Sequence, residues 1–250
     1  MNAEQDLVEV KLEAGVLYLT LNRQEKCNAI NASMYATLAW QLQLANTNPS
    51  VRVVVITGKG SFFTAGNDLD AFEARPQPGT GSPALNFIHQ LTCLEKPLVA
   101  AVQGMAIGIG VTLLLHCDLV YASDKARFRM PFVNLGVIPE AGSTVLLPER
   151  LGYLQAFECL ALGDFFDADQ ALTRGLINQV FSEESLDEQV KSIVKRVAEQ
   201  PAEALQTTKK LLRKPAKEGL QARISEEIRI FRQLLDSPDS KAARRALRRS

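Results

Sequence analysis

A chain of 250 residues, 46% hydrophobic and 22% charged, has ordinary globular composition and the length for one large domain or one domain with a small appendage. Lys plus Arg and Asp plus Glu are equal at 28 each, so the net charge is zero, which argues against a nucleic-acid partner. Four scattered cysteines with no CxxC pair, and only two histidines, make a poor donor set for zinc; reduced thiols near a core and no metal are expected.

In chain order, the polar, acidic start Met1–Asp6 lacks the pattern of a signal peptide, and a cytoplasmic location is expected. Val8 to Glu13 alternates like a half-buried strand, Gly15 turns the chain, and Val16 to Leu21 reads as its hairpin partner. Asn31 or Ser33 can cap a helix to about Ala45, with Met34, Leu38 and Leu42 on its inner face and Pro49 beyond its end. Val51 to Thr57 is a β-branched run that predicts a strand buried on both faces. Phe62 and Phe63 open a short strand that stops at Gly66, and a loop rich in Pro and Gly spans Glu73 to Pro83.

Leu85 to Leu94 reads as helix, and Pro97 to Val102 as a second buried strand. The apolar run Leu98 to Leu115 contains Gln103 and three glycines, so it fits strand, turn and helix rather than a membrane span. A helix is expected over Val111 to His116, a strand over Leu119 to Ala122, and another from Phe128. From Gly152 the chain reads as almost wholly helical: Leu154–Leu162, Ala168–Gly175, Leu186–Ala198, Ala202–Arg213 and Ile224–Leu235. Strand–helix alternation followed by a helical tail predicts an α/β core, taken here as residues 1–195, and a helical C-terminal region, 196–250.

Three segments can carry chemistry. In Thr64-Ala65-Gly66-Asn67-Asp68-Leu69 a strand ends at a glycine, so the Asn67 N–H either points into a pocket or belongs to a plain turn. Gly104 to Thr112 carries a strand into glycines and then a helix start. That serves either close packing or the approach of a ligand to Gly108, Ile109 and Gly110; the dinucleotide fingerprint fails because position 113 is Leu. In Asn134 to Ser143, Glu140 sits in an apolar stretch. It is either helix-start decoration or a proton carrier whose pKa burial would raise. The neighbours His116 and Cys117 point apart on a helix and read as packing, not as a nucleophile with its base. The basic runs Lys209-Lys210…Arg213-Lys214 and Arg244-Arg245…Arg248-Arg249 read as a solvated helix face, or as contacts to the phosphates of a nucleotide-like ligand.

In this order, Leu19 to Arg23 with Asn28-Ala29-Ile30, Val54 to Gly58, Thr64 to Leu69, Lys96 to Gly110, Cys117 to Ser123 and Ala168 to Ile177 resemble the crotonase (enoyl-CoA hydratase/isomerase) superfamily over nearly the whole chain. The resemblance implies an α/β spiral of ββα units closed by a helical C-terminal trimerisation region, and a homotrimer or dimer of trimers. It implies an acyl-CoA thioester as substrate, with no separate cofactor and no nucleic-acid or membrane partner. Residue by residue it places the oxyanion donors at the backbone N–H groups of Asn67 and Ile109. Substrate or CoA contacts fall at Lys26, Asn28, Thr64, Ala65, Gly66, Asn67, Asp68 and Gly108.

The two glutamates that hydratases of the superfamily carry fall on Thr112 and Phe132, and Glu140 matches the single glutamate of the peroxisomal-type Δ3,Δ2-enoyl-CoA isomerases. The resemblance therefore implies isomerisation of 3-enoyl-CoA by Glu140. The alternatives are a hydratase or another acyl-CoA reaction, with Asp68 as a remote second acid, and a non-catalytic RNA-binding or scaffold member. The C-terminal aromatic and Lys that often reach a neighbour's CoA are replaced by Leu247 and Ser250.

Overall fold

A computed structural model of the chain describes residues 7–68, 82–217 and 219–247. The first hairpin forms as its alternation predicts: β1 (Val8–Glu13) pairs antiparallel with β2 (Val16–Leu21), and Gly15 at φ +81° makes the turn. Asn31, rather than Ser33, caps α1 (Ala32–Thr47), its side chain accepting from the Met34 N–H. The predicted inner positions Met34, Leu38 and Leu42 are all buried.

The β-branched run becomes β3 (Val53–Gly58), which starts two residues later than its composition suggested. Val54 and Ile56 enter the main core, while Val53 and Val55 pack on the opposite face of the sheet against the helix Leu186–Ala198, so the run is apolar because both faces are covered. A short strand, β4 (Phe62–Thr64), follows. The Pro- and Gly-rich loop lies outside the described residues up to position 81, and Pro83 opens α2 (Pro83–Cys93), which packs on α1 through Tyr35 and Phe87.

The same order of long strand, short strand and helix then recurs. β5 (Leu98–Val102) leads to β6 (Met105–Ile107) and α3 (Ile109–Thr112); β7 (Leu119–Ser123) leads to β8 (Arg127–Arg129). The helix expected over Val111–His116 begins earlier, at Ile109, and tightens to a 3-10 turn over Leu113–His116. The long strands, joined at one edge by the short β10 (Gln179–Phe181), form one six-stranded sheet, β1-β2-β3-β5-β7-β10, parallel from β2 onward, with Val54 beside Leu98 and Val99 beside Leu119. The other short strands, with β9 (Phe166–Asp167) at the edge, form a second sheet, β4-β6-β8-β9, in which Phe62 lies opposite Met105 and Thr64 opposite Ala106.

Beyond β8 come α4 (Ser143–Leu151), α5 (Tyr153–Leu162), β9 (Phe166–Asp167), α6 (Ala168–Thr173) and β10 (Gln179–Phe181). Then follow α7 (Leu186–Ala198), α8 (Ala202–Lys217), α9 (Leu220–Leu235) and α10 (Pro238–Leu247). The region after Gly152 is thus less purely helical than its periodicity suggested, because β9 and β10 each complete a sheet edge. The basic face of α8 is corrected as well. Lys209 is buried and pairs with Asp118 at 2.7 Å, and Arg213 pairs with the same carboxylate at 3.2 Å. These cations anchor α8 to the strand core instead of facing solvent or a phosphate. Lys210 is exposed, and Lys214, Arg248 and Arg249 have no described side chain.

The two sheets meet tightly where β4 leaves β3 and β6 leaves β5. A Cβ on Gly104 would stand 1.9 Å from the Ser61 carbonyl oxygen, which is backbone and cannot yield. Gly104→Ala is therefore expected to destabilise the fold by about 3 kcal/mol, the upper range for overpacking, seen as a lower urea midpoint at an unchanged slope.

Candidate active site

The site grows out of the β4–β6 pairing. After β4, the Gly66 carbonyl accepts from the Ile30 N–H at 2.8 Å and Asp68 donates its N–H to the Ile30 carbonyl at 3.0 Å. A bridge of this kind uses the groups on either side of residue 67, so the Asn67 N–H faces away from Ile30. After β6, Gly108 turns the chain at φ +56° and Ile109 begins α3, where a first-turn N–H has no carbonyl four residues back to accept it. Among the described residues neither the Asn67 nor the Ile109 N–H has an acceptor. The two turns touch: a Cβ on Gly66 would lie 2.7 Å from the Ile107 carbonyl oxygen.

Glu140 joins these groups. Its Oε1 accepts from the Thr112 hydroxyl at 3.1 Å, and Thr112 stands one turn along α3 from Ile109, on the same side of that helix. Glu140 is half-buried and is not helix-start decoration, because α4 begins only at Ser143. Burial pushes its carboxyl up to about 7; the Thr112 hydrogen bond opposes the rise and the negative charge of Glu227 adds to it. Tyr35, buried on α1, closes the group. Its hydroxyl donates to the Asn67 side-chain oxygen, and burial, with a smaller push from the Glu140 charge, keeps its phenol protonated. Phe132 is buried with its ring tip at the edge of Gly108, 4.0 Å from where a Cβ would sit.

The predicted contact residues divide into two sets. Gly66, Asn67, Gly108, Ile109 and Glu140 come together, with Ala65 half-buried beside them. Asn28 and Thr64 are fully buried and spend their side chains on the backbone. The Asn28 amide donates to the carbonyls of Lys59 and Phe62, and the Thr64 hydroxyl donates to the Asn28 carbonyl at 2.7 Å. They shape the wall rather than offer free polar groups. Asp68 is ion-paired with Arg23, so it is not a spare acid beside Glu140. Lys26 is exposed on the turn Gln24–Lys26.

Sequence reasoning missed Tyr35, Thr112 as a donor to Glu140, and Glu227. The last left a signal: Ile224, Glu227 and Phe231 share one face of α9, so an acid interrupts an apolar stripe. A cavity of about 520 Å3 borders His116, Asp118 and Lys209 but none of Asn67, Ile109 or Glu140. The convergence of donors and carboxylate, not cavity volume, locates the site.

The family model described as enoyl-CoA hydratase/isomerase matches residues 11–248. The chain belongs to that family. It is 38% identical over 229 residues to enoyl-CoA delta isomerase 2 of Rattus norvegicus, covering 89% of this chain and 58% of the relative. It is 35% identical over 231 residues to 2,3-dehydroadipyl-CoA hydratase of Escherichia coli, covering 92% and 91%. A crystal structure of an enoyl-CoA hydratase/isomerase from Pseudoalteromonas atlantica superposes with a TM-score of 0.94 at 39% identity, over 98% of this chain and 97% of that one. The chain spans little more than half the length of the delta isomerase 2 relatives. The crotonase fold and membership of the enoyl-CoA hydratase/isomerase family are thereby established.

Thr112→Val keeps the shape but removes the donor that favours the Glu140 anion. The carboxyl is expected to titrate about one unit higher in 13C-glutamate NMR, since a hydrogen bond to a charged group is worth roughly 1.5–3 kcal/mol before water compensates.

Proposed function

We propose that the chain is a Δ3,Δ2-enoyl-CoA isomerase with Glu140 as its one acid–base group. The observation that carries this reading is the presence, among the described residues, of a single carboxylate free to act at the site. Glu140 stands beside Thr112, Phe132 lies at Gly108, Asp68 is held by Arg23, and Glu227 is bonded to the backbone of Gly142 and Thr144. Adding water across a double bond calls for a second polar group to position and split that water; shifting a double bond needs only one group that takes and returns a proton.

In this reading the Glu140 carboxylate removes a proton from C2 of a 3-enoyl-CoA. Charge moves onto the thioester oxygen, to which the N–H groups of Asn67 and Ile109 donate hydrogen bonds. The double bond settles between C2 and C3, and Glu140 returns the proton to C4, so the carboxyl ends as it began. A carboxyl whose pKa lies near 7 is suited to both halves of the exchange. The acyl-CoA would reach the site past Ala65, Gly66 and Gly108, with Lys26 as a phosphate contact from the surface. Self-association into a homotrimer or a dimer of trimers belongs to the same reading. The exposed apolar side chains Tyr153, Leu154 and Phe157 on α5 support a buried interface there.

Glu140→Gln is expected to lower kcat for conversion of 3-enoyl-CoA to 2-enoyl-CoA by about 10²–10⁴. Near wild-type turnover would overturn the assignment, and faster hydration of 2-enoyl-CoA than isomerisation would favour the hydratase. A base works deprotonated, so wild-type kcat should rise with pH through about 7 and then level off. A limb near the ordinary carboxylate value of 4.5 would contradict a buried base.

A further inference from the structure

Glu227 lies in the middle of α9, almost wholly buried at 2% exposure, 87 residues after the base. Its two oxygens reach back to the segment that follows Glu140. Oε2 accepts from the Gly142 N–H at 2.7 Å; Oε1 accepts from the Thr144 N–H at 3.1 Å and from the Thr144 hydroxyl. That segment needs outside support. Ala141 and Gly142 are both left-handed, at φ +61° and +74°, a conformation costly for alanine. The N-cap of α4 is Gly142, which has no side chain to accept the first helical N–H groups. A carboxylate from another helix does that work.

The hold is two-sided. On one side Gly142 lies against α9, where a Cβ would stand 2.5 Å from Leu220 and 3.3 Å from Ile224. On the other, the ring Nε2 of buried His116 donates to the Ala141 carbonyl at 2.7 Å. Ser143 closes the turn by donating its hydroxyl to the Glu140 carbonyl at 2.6 Å. The residue that must move a proton is thus the last one before a turn clamped by three hydrogen bonds to Glu227 and one to His116.

We propose that Glu227 is a positioning residue for Glu140: it fixes the turn that aims the Glu140 side chain and lends its negative charge to keep that carboxyl a willing proton carrier. This rests on Glu140 being the base. Among the described residues, the ionisable groups around Glu140 are Tyr35 from α1, Glu227 from α9 and, through the Ala141 carbonyl, His116. Burial holds the His116 imidazole down to about 4, so it is neutral, and it faces Arg150, Lys209 and Arg213. Arg223 on α9 faces Glu227. Burial raises the Glu227 pKa too, but the three hydrogen bonds donated to it favour its charged form, and that charge raises the Glu140 pKa.

The test is Glu227→Gln in the full chain, which keeps size but loses the charge and one acceptor. The 13C-labelled Glu140 carboxyl should titrate at least about 0.5 unit lower. With 3-enoyl-CoA, kcat should fall about tenfold and KM stay within about twofold, as for a misaimed group with substrate contacts intact. Glu227→Asp keeps the charge on a shorter arm and should leave the titration within about 0.3 unit of wild type while kcat falls. An unmoved titration or an unchanged kcat in folded Glu227→Gln overturns the proposal. Should Glu227→Gln fail to fold, Thr144→Val removes only the hydroxyl donor; a kcat drop of about threefold at constant KM supports the role, and an unaltered kcat overturns it. The titration does not depend on which reaction is catalysed, so it decides the role of Glu227 even where Glu140→Gln shows that the isomerase reading fails.

Discussion

The parallel contact between β4 and β6 is the constraint on which the site depends. Each short strand prolongs a long strand of the main sheet, and each ends in a glycine turn. Their pairing places two spare backbone donors next to one another without a single side chain. It works only because the crossing points are bare: side-chain atoms at Gly58, Gly66, Gly104 or Gly110 would meet neighbouring atoms at 2.7 Å or less. Donors built this way are rigid, since moving either would break the sheet. Rigid dipoles stabilise a developing charge better than water, because they need not reorient when it forms.

The carboxylate is supplied by a different principle. Glu140 lies on no strand or helix, and its segment is irregular from the turn at Val133–Leu135 to the start of α4. Irregular backbone can aim a side chain where regular structure cannot, but it holds no shape of its own. Here the shape is imposed from outside. Ser240 of α10 fills the space over Gly136, where a Cβ would lie 2.8 Å from the serine backbone, and α9 covers Gly142. The raised pKa has the same origin, since the packing that fixes the segment also strips water from the carboxyl.

Much of this was legible in the chain. The β-branched run at 51–57 and the spacing of Met34, Leu38 and Leu42 marked elements whose partners are broad apolar surfaces, and such elements are set by local pattern. The glycine turns were legible because few residues can take their place. What stayed hidden was set by contacts distant in sequence. The edge strands β9 and β10 have only two and three residues, too short for periodicity to register. Lys209 and Arg213 looked like solvated charge because nothing local shows that Asp118 waits beneath them. Asn28 and Thr64 looked like ligand contacts, yet their polar atoms are consumed by neighbouring carbonyls.

The clamp on the Glu140 segment bears on how the molecule is assembled. A polypeptide emerging from the ribosome exposes the strands, the glycine turns and Glu140 before it exposes the two helices that brace the Glu140 segment. Until residues 220–240 arrive, the N–H groups of Gly142 and Thr144 lack the carboxylate that accepts from them, and the left-handed Ala141–Gly142 turn lacks that outside support. Order at this segment is therefore acquired late in synthesis, after the strands that lead to Asn67 and Ile109 have been made.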